Sequence, residues 1–345
     1  MSQPIEIIKQ LPSILLPWYA KEARALPWRK DKSPYHVWVS EIMLQQTRVE
    51  AVRNYYLRFM ENFPTIEALA KADESLLFKL WEGLGYYNRA RNLQKTAKII
   101  AAAGGVFPNN YDDVLALPGI GTYTAGAICS ICYDLPIAAV DGNVLRVISR
   151  LTADTTPIQL EKTKRDMANL LQQVYPIGNC GDFTQSLMEL GAVVCTPKSP
   201  KCENCPAATI CLAHKQNQTA LYPTKAKKAD KKIEQRTLFL LQCGDLFAIE
   251  QRGNKGLLAG LWQLPNISGS LTAEQAFNLA TEFGTTPSEL CREIHKSHIF
   301  THLKWEMVCY HIRCTTTAKR FTWATQNELN HKYALPTAFR IFLEE

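Results

Sequence analysis

Apolar residues recur every three or four positions from residue 5 to about residue 212, the spacing that buries one face of a helix. The stretch 37–60 (VWVSEIMLQQTRVEAVRNYYLRFM) predicts one long amphipathic helix. The stretch 65–85 predicts another, which begins at the N-cap Thr65 and ends at glycines. Further helices are predicted at 89–105, 111–117, 143–152, 161–174 and 182–193. The first two-thirds of the chain therefore predict an all-α domain.

The pattern changes after Leu221. Residues 222–236 (YPTKAKKADKKIEQR) contain six basic residues and almost no large apolar ones, which predicts an exposed linker. Alternation of apolar and polar positions, with a Gly-Asp turn inside the first stretch, predicts strands at 237–252 and 297–314. Helical spacing predicts helices at 272–283 and 336–344.

A chain of 345 residues is long enough for two domains that each bury a core. We expect a helical domain at 1–218, a basic linker at 219–235 and an α+β domain at 236–345. No apolar run approaches the roughly 20 residues of a membrane span, and the N-terminus lacks a secretory signal. These features predict a cytoplasmic protein. The net charge of +7 permits a polyanionic partner without requiring one.

Eleven cysteines, an odd number in a chain without an export signal, argue against a disulfide framework. Four of them lie together in a polar, proline-rich loop, at Cys195, Cys202, Cys205 and Cys211. Such a loop offers no core in which to bury four thiols, so a shared metal centre is the better explanation. The unequal spacing favours an iron–sulfur cubane, and structural zinc is the alternative. Two lysines within the loop, Lys198 and Lys201, are either phosphate contacts or solvated side chains.

A glycine-containing turn, LPGIG at 117–121, lies between two predicted helices. Glycine permits positive φ and lets a phosphate approach backbone N–H groups, a contact that does not depend on nucleotide sequence. An ordinary helical turn is the competing interpretation. Beyond it, Asp141 precedes a helix, where capping is its default role. We expect the helix N-terminus to keep this carboxylate ionised at neutral pH.

The motifs LPGIGTYTAGAI and VDGNVLRV, together with the cysteine loop, resemble helix-hairpin-helix DNA glycosylases of the endonuclease III superfamily. With VWVSEIMLQQTRV and GLGYYNRARNL added, the chain resembles MutY-type adenine DNA glycosylases along essentially its whole length. The resemblance implies a multi-domain protein. It would consist of an all-α helix-hairpin-helix glycosylase domain with an iron–sulfur loop and a C-terminal α+β MutT-like (Nudix-fold) domain. The hairpin would occupy 112–132, with Leu117, Gly119 and Gly121 binding DNA, and residues 195–211 would hold a 4Fe–4S cluster.

The same resemblance assigns the catalytic roles. Glu41, within the apolar stretch VWVSEIML, would be the acid that protonates the adenine, although periodicity alone favours a glutamate on a helix surface. Asp141 would stabilise the sugar cation, with Tyr123 and Asn143 supporting the carboxylate and the water. Bifunctional relatives carry a lysine at the position of Tyr123, whose amine forms a Schiff base with the sugar. Its absence implies a glycosylase without an efficient lyase step.

Further residues match the family's contacts with the substrate. Gln46 and Tyr86 match the residues that wedge into the duplex when the base is flipped out. Four others match the adenine pocket: Leu26, Trp28, Arg29 and Gln185. Without the resemblance, Tyr86 and Trp28 would be assigned to the core, where aromatic side chains usually pack.

In the C-terminal part, RGNKGLLAGLWQLP resembles the MutT-like domain of MutY proteins. The helix that would carry the carboxylates of a Nudix hydrolase has only Glu274 and Glu282, so pyrophosphate hydrolysis is not expected. In the family this domain recognises 8-oxoguanine through a Phe-Ser-His loop, which here is Phe300, Thr301 and His302. Threonine keeps the hydroxyl and adds a methyl group. Ordinary strand residues are the alternative.

The resemblance thus implies a monofunctional adenine DNA glycosylase of base excision repair. Its partner would be double-stranded DNA with adenine opposite 8-oxoguanine or guanine, and we expect the enzyme to be a monomer. Two other functions are compatible with parts of the pattern. A glycosylase for another base, such as thymine, would share the hairpin and the cysteine loop. A non-enzymatic iron–sulfur DNA-binding protein would be expected to lack one of the two carboxylates.

Overall fold

The computed structural model describes residues 2–226 and 230–343, so residues 227–229 of the expected linker lie outside the described residues. The chain divides into two compact units. The helical unit comprises Met1–Lys71 and Arg91–Lys227. The mixed unit comprises Ala72–Ala90 and Lys228–Glu345.

Helices account for the chain up to residue 215, which confirms the prediction of an all-α N-terminal part. They are α1 (Ser2–Ile8), α2 (Leu11–Glu22), α3 (Pro34–Leu44), α4 (Val49–Asn62), α5 (Ile66–Lys71), α6 (Glu74–Trp81), α7 (Asn88–Ala102), α8 (Tyr111–Leu115), α9 (Thr122–Tyr133), α10 (Gly142–Thr152), α11 (Glu161–Gln172), α12 (Cys180–Glu189) and α13 (Leu212–Lys215). Short 3₁₀ turns lie at Pro27–Arg29, Cys202–Asn204, Ala208–Ile210 and Thr219–Leu221, and a π-helical turn lies at Leu190–Val194.

Two of the predicted helices are each divided in the structure. The prediction of one helix over 37–60 is wrong, because α3 and α4 are separated by a turn in which Gln46 has a φ of 60°. A left-handed residue cannot continue a right-handed helix. The helix predicted over 65–85 is also two helices, α5 and α6. Asp73 begins α6 by accepting hydrogen bonds from two N–H groups of its first turn, at 2.9 and 3.1 Å.

Helices α8 and α9 flank the glycine turn and form the expected hairpin. The cap of α8 is Asn110, whose side-chain oxygen accepts from the N–H of Asp113 at 3.0 Å. Gly119 has a φ of 78°, and a Cβ at this position would lie 2.5 Å from the Cβ of Asn92. Any other residue would therefore be strained and would collide with its neighbour. Glycine leaves this exposed backbone uncovered.

The core of the helical unit forms around α10 and α12. Every residue of α10 from Val144 to Leu151 is buried, and apolar side chains of α2 and α12 pack in the same cluster. A helix buried on all sides cannot rotate without losing these contacts. The position of Asp141, which caps α10, is therefore fixed by the core.

The mixed unit contains a seven-stranded sheet and three further helices. They are β1 (Lys232–Cys243), β2 (Leu246–Gln251), β3 (Trp262–Gln263), β4 (Asn266–Ser268), α14 (Ala273–Glu282), β5 (Pro287–Ile299), β6 (Leu303–Cys314), β7 (Thr322–Thr325), α15 (Gln326–His331) and α16 (Thr337–Arg340). The strand order is β3-β2-β1-β6-β5, with β4 beside β1 and β7 beside β2. Only the β1–β6 pair is parallel among the strands that the structure describes.

Both faces of the sheet are covered, as the alternation along β1 requires. Leu238 and Leu240 belong to a cluster that includes Phe339 of α16. Phe239 and Leu241 belong to the opposite cluster, which includes Ala276 of α14. The predicted hairpin with its Gly-Asp turn is confirmed, because Gln242 of β1 pairs with Phe247 of β2.

Segment 72–90 is bonded into the mixed unit through Lys79 of α6 and the following Glu82. The Nζ of Lys79 donates to the backbone oxygens of Leu329 and Tyr333, at 3.2 and 3.1 Å. Glu82 accepts from Arg340 at 2.7 Å. These bonds join α6 to the last two helices of the chain.

Other boundaries in the mixed unit differ from prediction. Strand β1 begins at Lys232, inside the expected linker, because it pairs in parallel with β6 from Leu303 onward. Strand β5 begins ten residues before the predicted 297, at Pro287. Helix α16 is shorter than the predicted 336–344, of which residue 344 lies outside the described residues. Helix α15 was not predicted.

Candidate functional site

A cavity of about 1580 Å³ lies within the helical unit. We call it the Glu41 cavity, after the buried carboxylic acid in its wall. Asp141, Tyr123 and Asn143 also line it, so the structure brings together the four residues that the sequence singled out as catalytic. They come from α3, from α9 and from the start of α10.

Glu41 is 6% exposed, which overturns the alternative of a surface glutamate. Burial raises the pKa of its carboxyl to about 7. A hydrogen bond donated by the hydroxyl of Tyr123 lowers that pKa, the negative charge of Asp141 raises it, and the positive charge of Arg29 lowers it. A carboxyl group with a pKa near neutrality can hold a proton at physiological pH and give it up.

Asp141 caps α10, as its position in the sequence predicts. Its two oxygens accept from the N–H of Val144 at 2.7 Å and from the side-chain amide of Asn143 at 2.8 Å. These bonds lower its pKa, but burial outweighs them and raises the pKa above its ordinary value. The helix N-terminus therefore stabilises the ionised form less than we expected.

Asn143 is itself held in place by Arg146, a residue that the sequence did not single out. Its side-chain oxygen accepts from Nη2 of Arg146 at 2.8 Å. The same guanidinium donates to the backbone oxygens of Gly191 and Cys195, both at 2.8 Å. A Cβ at Gly191 would lie 2.6 Å from that of Asn143, so this close approach requires glycine. A hydrogen-bonded path thus leads from Asp141 to the backbone of the cysteine loop.

The four cysteines of the loop are free thiols, and Arg150 lies beside them. Its Nη1 donates to the Sγ of Cys195 at 3.2 Å and to the backbone oxygen of Thr196 at 2.8 Å. Burial, with a smaller contribution from the other three thiols, raises the pKa of the Cys205 thiol to about 11. In the described part of the chain, no group of three or more His, Cys, Asp or Glu side chains has the mutual geometry to hold a metal ion. The donor set still fits a thiolate-ligated group, since one loop supplies four thiols and Arg150 of α10 places a compensating cation beside Cys195.

The residues expected to form the base pocket also line the Glu41 cavity: Leu26, Trp28, Arg29 and Gln185. Trp28 is 5% exposed, and its ring lies edge-on to that of Tyr56 at 5.4 Å. It is therefore both a core residue and part of the cavity wall.

The same wall contains an ion-pair cluster that the sequence analysis missed. Glu189 lies at the end of α12, is fully buried, and accepts hydrogen bonds from the guanidinium groups of Arg24 and Arg29. A usable signal was present, because Glu189 is a charged residue between the apolar Met188 and Leu190, four positions after Gln185. Residues i and i+4 share one helix face.

The remaining DNA-contact candidates of the helical unit differ in their exposure to solvent. Gln46 is exposed, has positive φ and lies at the cavity wall. Leu117 is buried, so its side chain belongs to the core of the hairpin. Gly119 and Gly121 are exposed, where their backbone is accessible.

The candidates in the mixed unit are also brought together. Tyr86, which is 48% exposed, lies within hydrogen-bond distance of Thr301, with the two hydroxyl oxygens 2.9 Å apart. The alternative of a core aromatic at Tyr86 is therefore wrong. Thr301 and His302 are exposed in the turn between β5 and β6. Phe300 is half-buried, with its ring centroid 4.9 Å from that of Trp305.

Both units match known domain families. Residues 39–173 match the HhH-GPD superfamily of base excision DNA repair proteins, and residues 237–345 match the NUDIX domain. An adenine DNA glycosylase from Rattus norvegicus is 34% identical over 96% of this chain and 77% of its own length. One from Arabidopsis thaliana is 38% identical over 84% of this chain and 55% of its own.

Solved structures resemble the helical part. A thermostable thymine-DNA glycosylase is 29% identical with a TM-score of 0.55, over 61% of this chain and 98% of its own. A non-covalent complex of endonuclease III with DNA shares the fold at 22% identity and a TM-score of 0.53, over 63% of this chain and 99% of its own. Among the described residues, no helix has the length and apolar character needed to cross a bilayer.

The raised pKa of Glu41 predicts a stability cost at alkaline pH. The folded protein holds this proton up to about pH 7, whereas the unfolded chain loses it near 4.5, so ionisation lowers the free energy of unfolding as pH rises between them. Glu41→Gln carries no charge at any pH. At pH 8 we expect it to be more stable than the wild type by roughly 2–3 kcal/mol, and at pH 4.5 we expect near equality.

Thermal or urea unfolding of both proteins at the two pH values measures this difference. Glu61→Gln, an exposed residue of α4, is the matched control and should show no pH-dependent change. Equal stability of Glu41→Gln and wild type at pH 8 would mean that Glu41 ionises freely.

Proposed function

Because this chain belongs to the adenine DNA glycosylase family, we propose that it excises adenine opposite 8-oxoguanine or guanine from double-stranded DNA. The observation that carries the proposal is the shared cavity of Glu41 and Asp141, a carboxyl group with a pKa near 7 beside a helix-capping carboxylate. Functionally, the division would be 1–218 for catalysis, 219–235 as linker and 236–345 for recognition of the opposite base. We propose a monomer that acts on chromosomal DNA.

The first step uses the proton of Glu41. Protonation of a ring nitrogen of adenine makes the base a better leaving group, and the bond from N9 to C1′ of the sugar breaks with its electron pair passing to the base. The buried position of Glu41 supports this role, because it keeps the proton on the carboxyl near neutral pH. The hydroxyl of Tyr123 holds one carboxyl oxygen, which orients the other.

The second step neutralises the sugar cation. Asp141 supplies the negative charge, and Asn143 fixes its orientation through the 2.8 Å hydrogen bond. Water adds to C1′ and returns one proton to the Glu41 carboxylate, which restores the starting state and leaves an abasic site. Since Tyr123 stands where a lysine would form a Schiff base, the strand is not cut.

The base must leave the stack before this chemistry, at a cost of a few kcal/mol. Gln46 would replace it in the duplex, and its exposure at the cavity wall supports this role. The exposed backbone of Gly119 and Gly121 would hold phosphates. Leu26, Trp28, Arg29 and Gln185 would enclose the extruded adenine.

We assign recognition of 8-oxoguanine to Phe300, Thr301 and His302, together with Tyr86. The hydrogen bond between Tyr86 and Thr301 supports this, because it brings a stacking ring and a hydroxyl to one exposed place. The hydroxyl of Thr301 can donate to and accept from a modified purine.

Cys195, Cys202, Cys205 and Cys211 would hold a 4Fe–4S cluster. When bound, the cluster supplies a rigid crosslink for the loop rather than a step of the reaction. The guanidinium of Arg150, 3.2 Å from the Sγ of Cys195, would offset part of the thiolate charge.

Single-turnover cleavage of a labelled duplex with adenine opposite 8-oxoguanine tests the function, with samples taken before and after alkali. Product only after alkali is expected. Asp141→Asn should lower the rate by about 10³-fold or more, since the sugar cation loses its counter-charge, while binding to the duplex persists. Strand cuts without alkali would contradict the monofunctional assignment, and release of thymine but not adenine would contradict the adenine assignment.

Thr301 offers a test of recognition with two matched variants. Thr301→Val removes the hydroxyl at nearly constant volume, and Thr301→Ser removes only the methyl group. We expect valine to lower the preference for 8-oxoguanine over guanine about tenfold, the value of one lost hydrogen bond, and serine to preserve it. Competition between the two duplexes measures the ratio; equal ratios for both variants would exclude the hydroxyl.

Metal analysis of the purified chain distinguishes iron from zinc. We expect about four iron atoms per chain and broad visible absorption, both lost in Cys202→Ala. Cys243→Ala, a cysteine of β1 outside the loop, is the matched control and should retain both. One zinc per chain without visible absorption would contradict the cluster.

A further inference from the structure

We propose that Glu189 is a positioning residue that holds the guanidinium of Arg29 away from Glu41, so that the acid keeps its proton. The inference rests on the proposed function, because it concerns the protonation of the catalytic acid. It assigns a purpose to a buried charge that takes no part in the chemistry described above.

The hydrogen bonds around Glu189 satisfy both carboxylate oxygens. Oε1 accepts from Nε and from the backbone N–H of Arg24, at 2.6 and 3.2 Å. Oε2 accepts from Nη2 of Arg24 at 3.1 Å and from Nη2 of Arg29 at 2.8 Å. Arg29 is further fixed by donating from Nη1 to the backbone oxygen of Arg24 at 3.3 Å. Two arginines are thereby held by one carboxylate.

The charges of this cluster are largely shielded from solvent, so they interact strongly with one another. The side chain of Glu189 is 0% exposed, and that of Arg29 is 14% exposed. Burial works to raise the pKa of Glu189, but the hydrogen bond from Arg24 and the charge of Arg29 outweigh it and hold the pKa below its ordinary value. Glu189 therefore stays ionised, and in this setting removing one partner leaves an uncompensated buried charge.

Glu41 is a second carboxyl group on which the charge of Arg29 acts. The positive charge of Arg29 already lowers the pKa of Glu41, while Tyr123 and Asp141 also face this carboxyl. Cys132 of α9 is near enough for the charge of Glu41 to raise the pKa of its thiol. Of these neighbours, Arg29 is the cation that would ionise Glu41 if it paired with it.

Two carboxyl groups in one cavity thus compete for one guanidinium. The fully ionised Glu189 holds it at 2.8 Å, so Glu41 is left with a hydrogen bond from the neutral phenol of Tyr123. The cluster has three other charged or titratable neighbours: Glu50, Asp182 and Tyr19. Glu50 lies 3.9 Å from Arg24, and the ring of Tyr19 lies 5.7 Å from the Arg29 guanidinium. Glu50 is 80% exposed, where solvent screens its charge.

The test is the pH dependence of single-turnover adenine release by the full chain. Rates should fall as pH rises through the pKa of Glu41, because only the protonated acid is active. In Glu189→Gln, Arg29 is free to pair with Glu41, so we expect this alkaline limb to move at least one pH unit lower. That shift is about a tenfold loss of rate above the limb, with most of the rate regained below it.

Two further variants separate positioning from a merely structural role. In the double variant Glu189→Gln with Arg29→Met, the cation that ionises Glu41 is absent, so the limb should return to the wild-type pH or above it. Glu189→Asp keeps the charge and should keep the wild-type limb even if its rate is lower. Glu50→Gln, the same charge change on an exposed neighbour of Arg24, should leave the profile unchanged.

The outcomes distinguish this inference from the proposed function. A wild type that releases no adenine, or releases it without an alkaline limb, would contradict the proposed function or the role of Glu41. A wild-type limb that Glu189→Gln leaves in place, with the rate lowered equally at all pH values, would overturn the positioning role alone. A shifted limb that the double variant fails to restore would also overturn it. Melting curves confirm that each variant is folded.

Discussion

The arrangement of the helical unit depends on keeping one carboxylic acid protonated inside the protein. Water stabilises an ionised carboxylate strongly, so removing water from Glu41 shifts its equilibrium towards the neutral acid. Among the neighbours, the negative charge of Asp141 adds to that shift. The hydrogen bond from Tyr123 and the charge of Arg29, whose guanidinium is held by Glu189, act against it without reversing it. The proposed reaction needs a proton donor at neutral pH, and burial of Glu41 would supply it.

Asp141 lies under opposite demands in the same cavity. In the proposed reaction it must be ionised to stabilise a cation, yet burial raises its pKa as well. The difference between the two carboxyls is the number of donors: Asp141 receives N–H groups from Val144 and Asn143, whereas Glu41 receives the hydroxyl of Tyr123. Two acids in one cavity can therefore differ in charge because one of them caps a helix.

Most residues of this site could be predicted from the sequence, but few of the contacts that shift their pKa values could. Glu41, Asp141 and the four loop cysteines were identifiable, because their motifs are short and local. The turn at Gln46 was not, since the four polar residues between Leu44 and Val49 include no glycine or proline to mark a break in the helix, and the apolar spacing resumes at Val49. Glu189 was missed for a different reason, as its partners Arg24 and Arg29 lie 165 and 160 residues away along the chain.

Element boundaries in the mixed unit were also only partly predictable from local sequence. Periodicity reports the burial of one segment, whereas strand β1 extends into a basic stretch because β6 pairs with it across about 70 residues. A local signal did exist for α15, where Thr325 and Glu328 form a capping box, but the helix is too short for a clear apolar period. The start of β1 therefore depends on a partner distant along the chain, whereas α15 was missed because of its length.

The stability and the function of the helical unit are in opposition at Glu41. A neutral side chain there would remove the cost of ionisation at alkaline pH, and the same change would remove the proton donor. The Arg24–Glu189–Arg29 cluster has a similar cost, because a fully buried carboxylate held by two partly buried guanidinium groups is costlier to fold than apolar groups of equal volume. Such costs persist where activity depends on them. The buried carboxylates of Glu41 and Glu189 therefore mark the functional part of this unit more reliably than its apolar core does, since an apolar core needs no function to explain it.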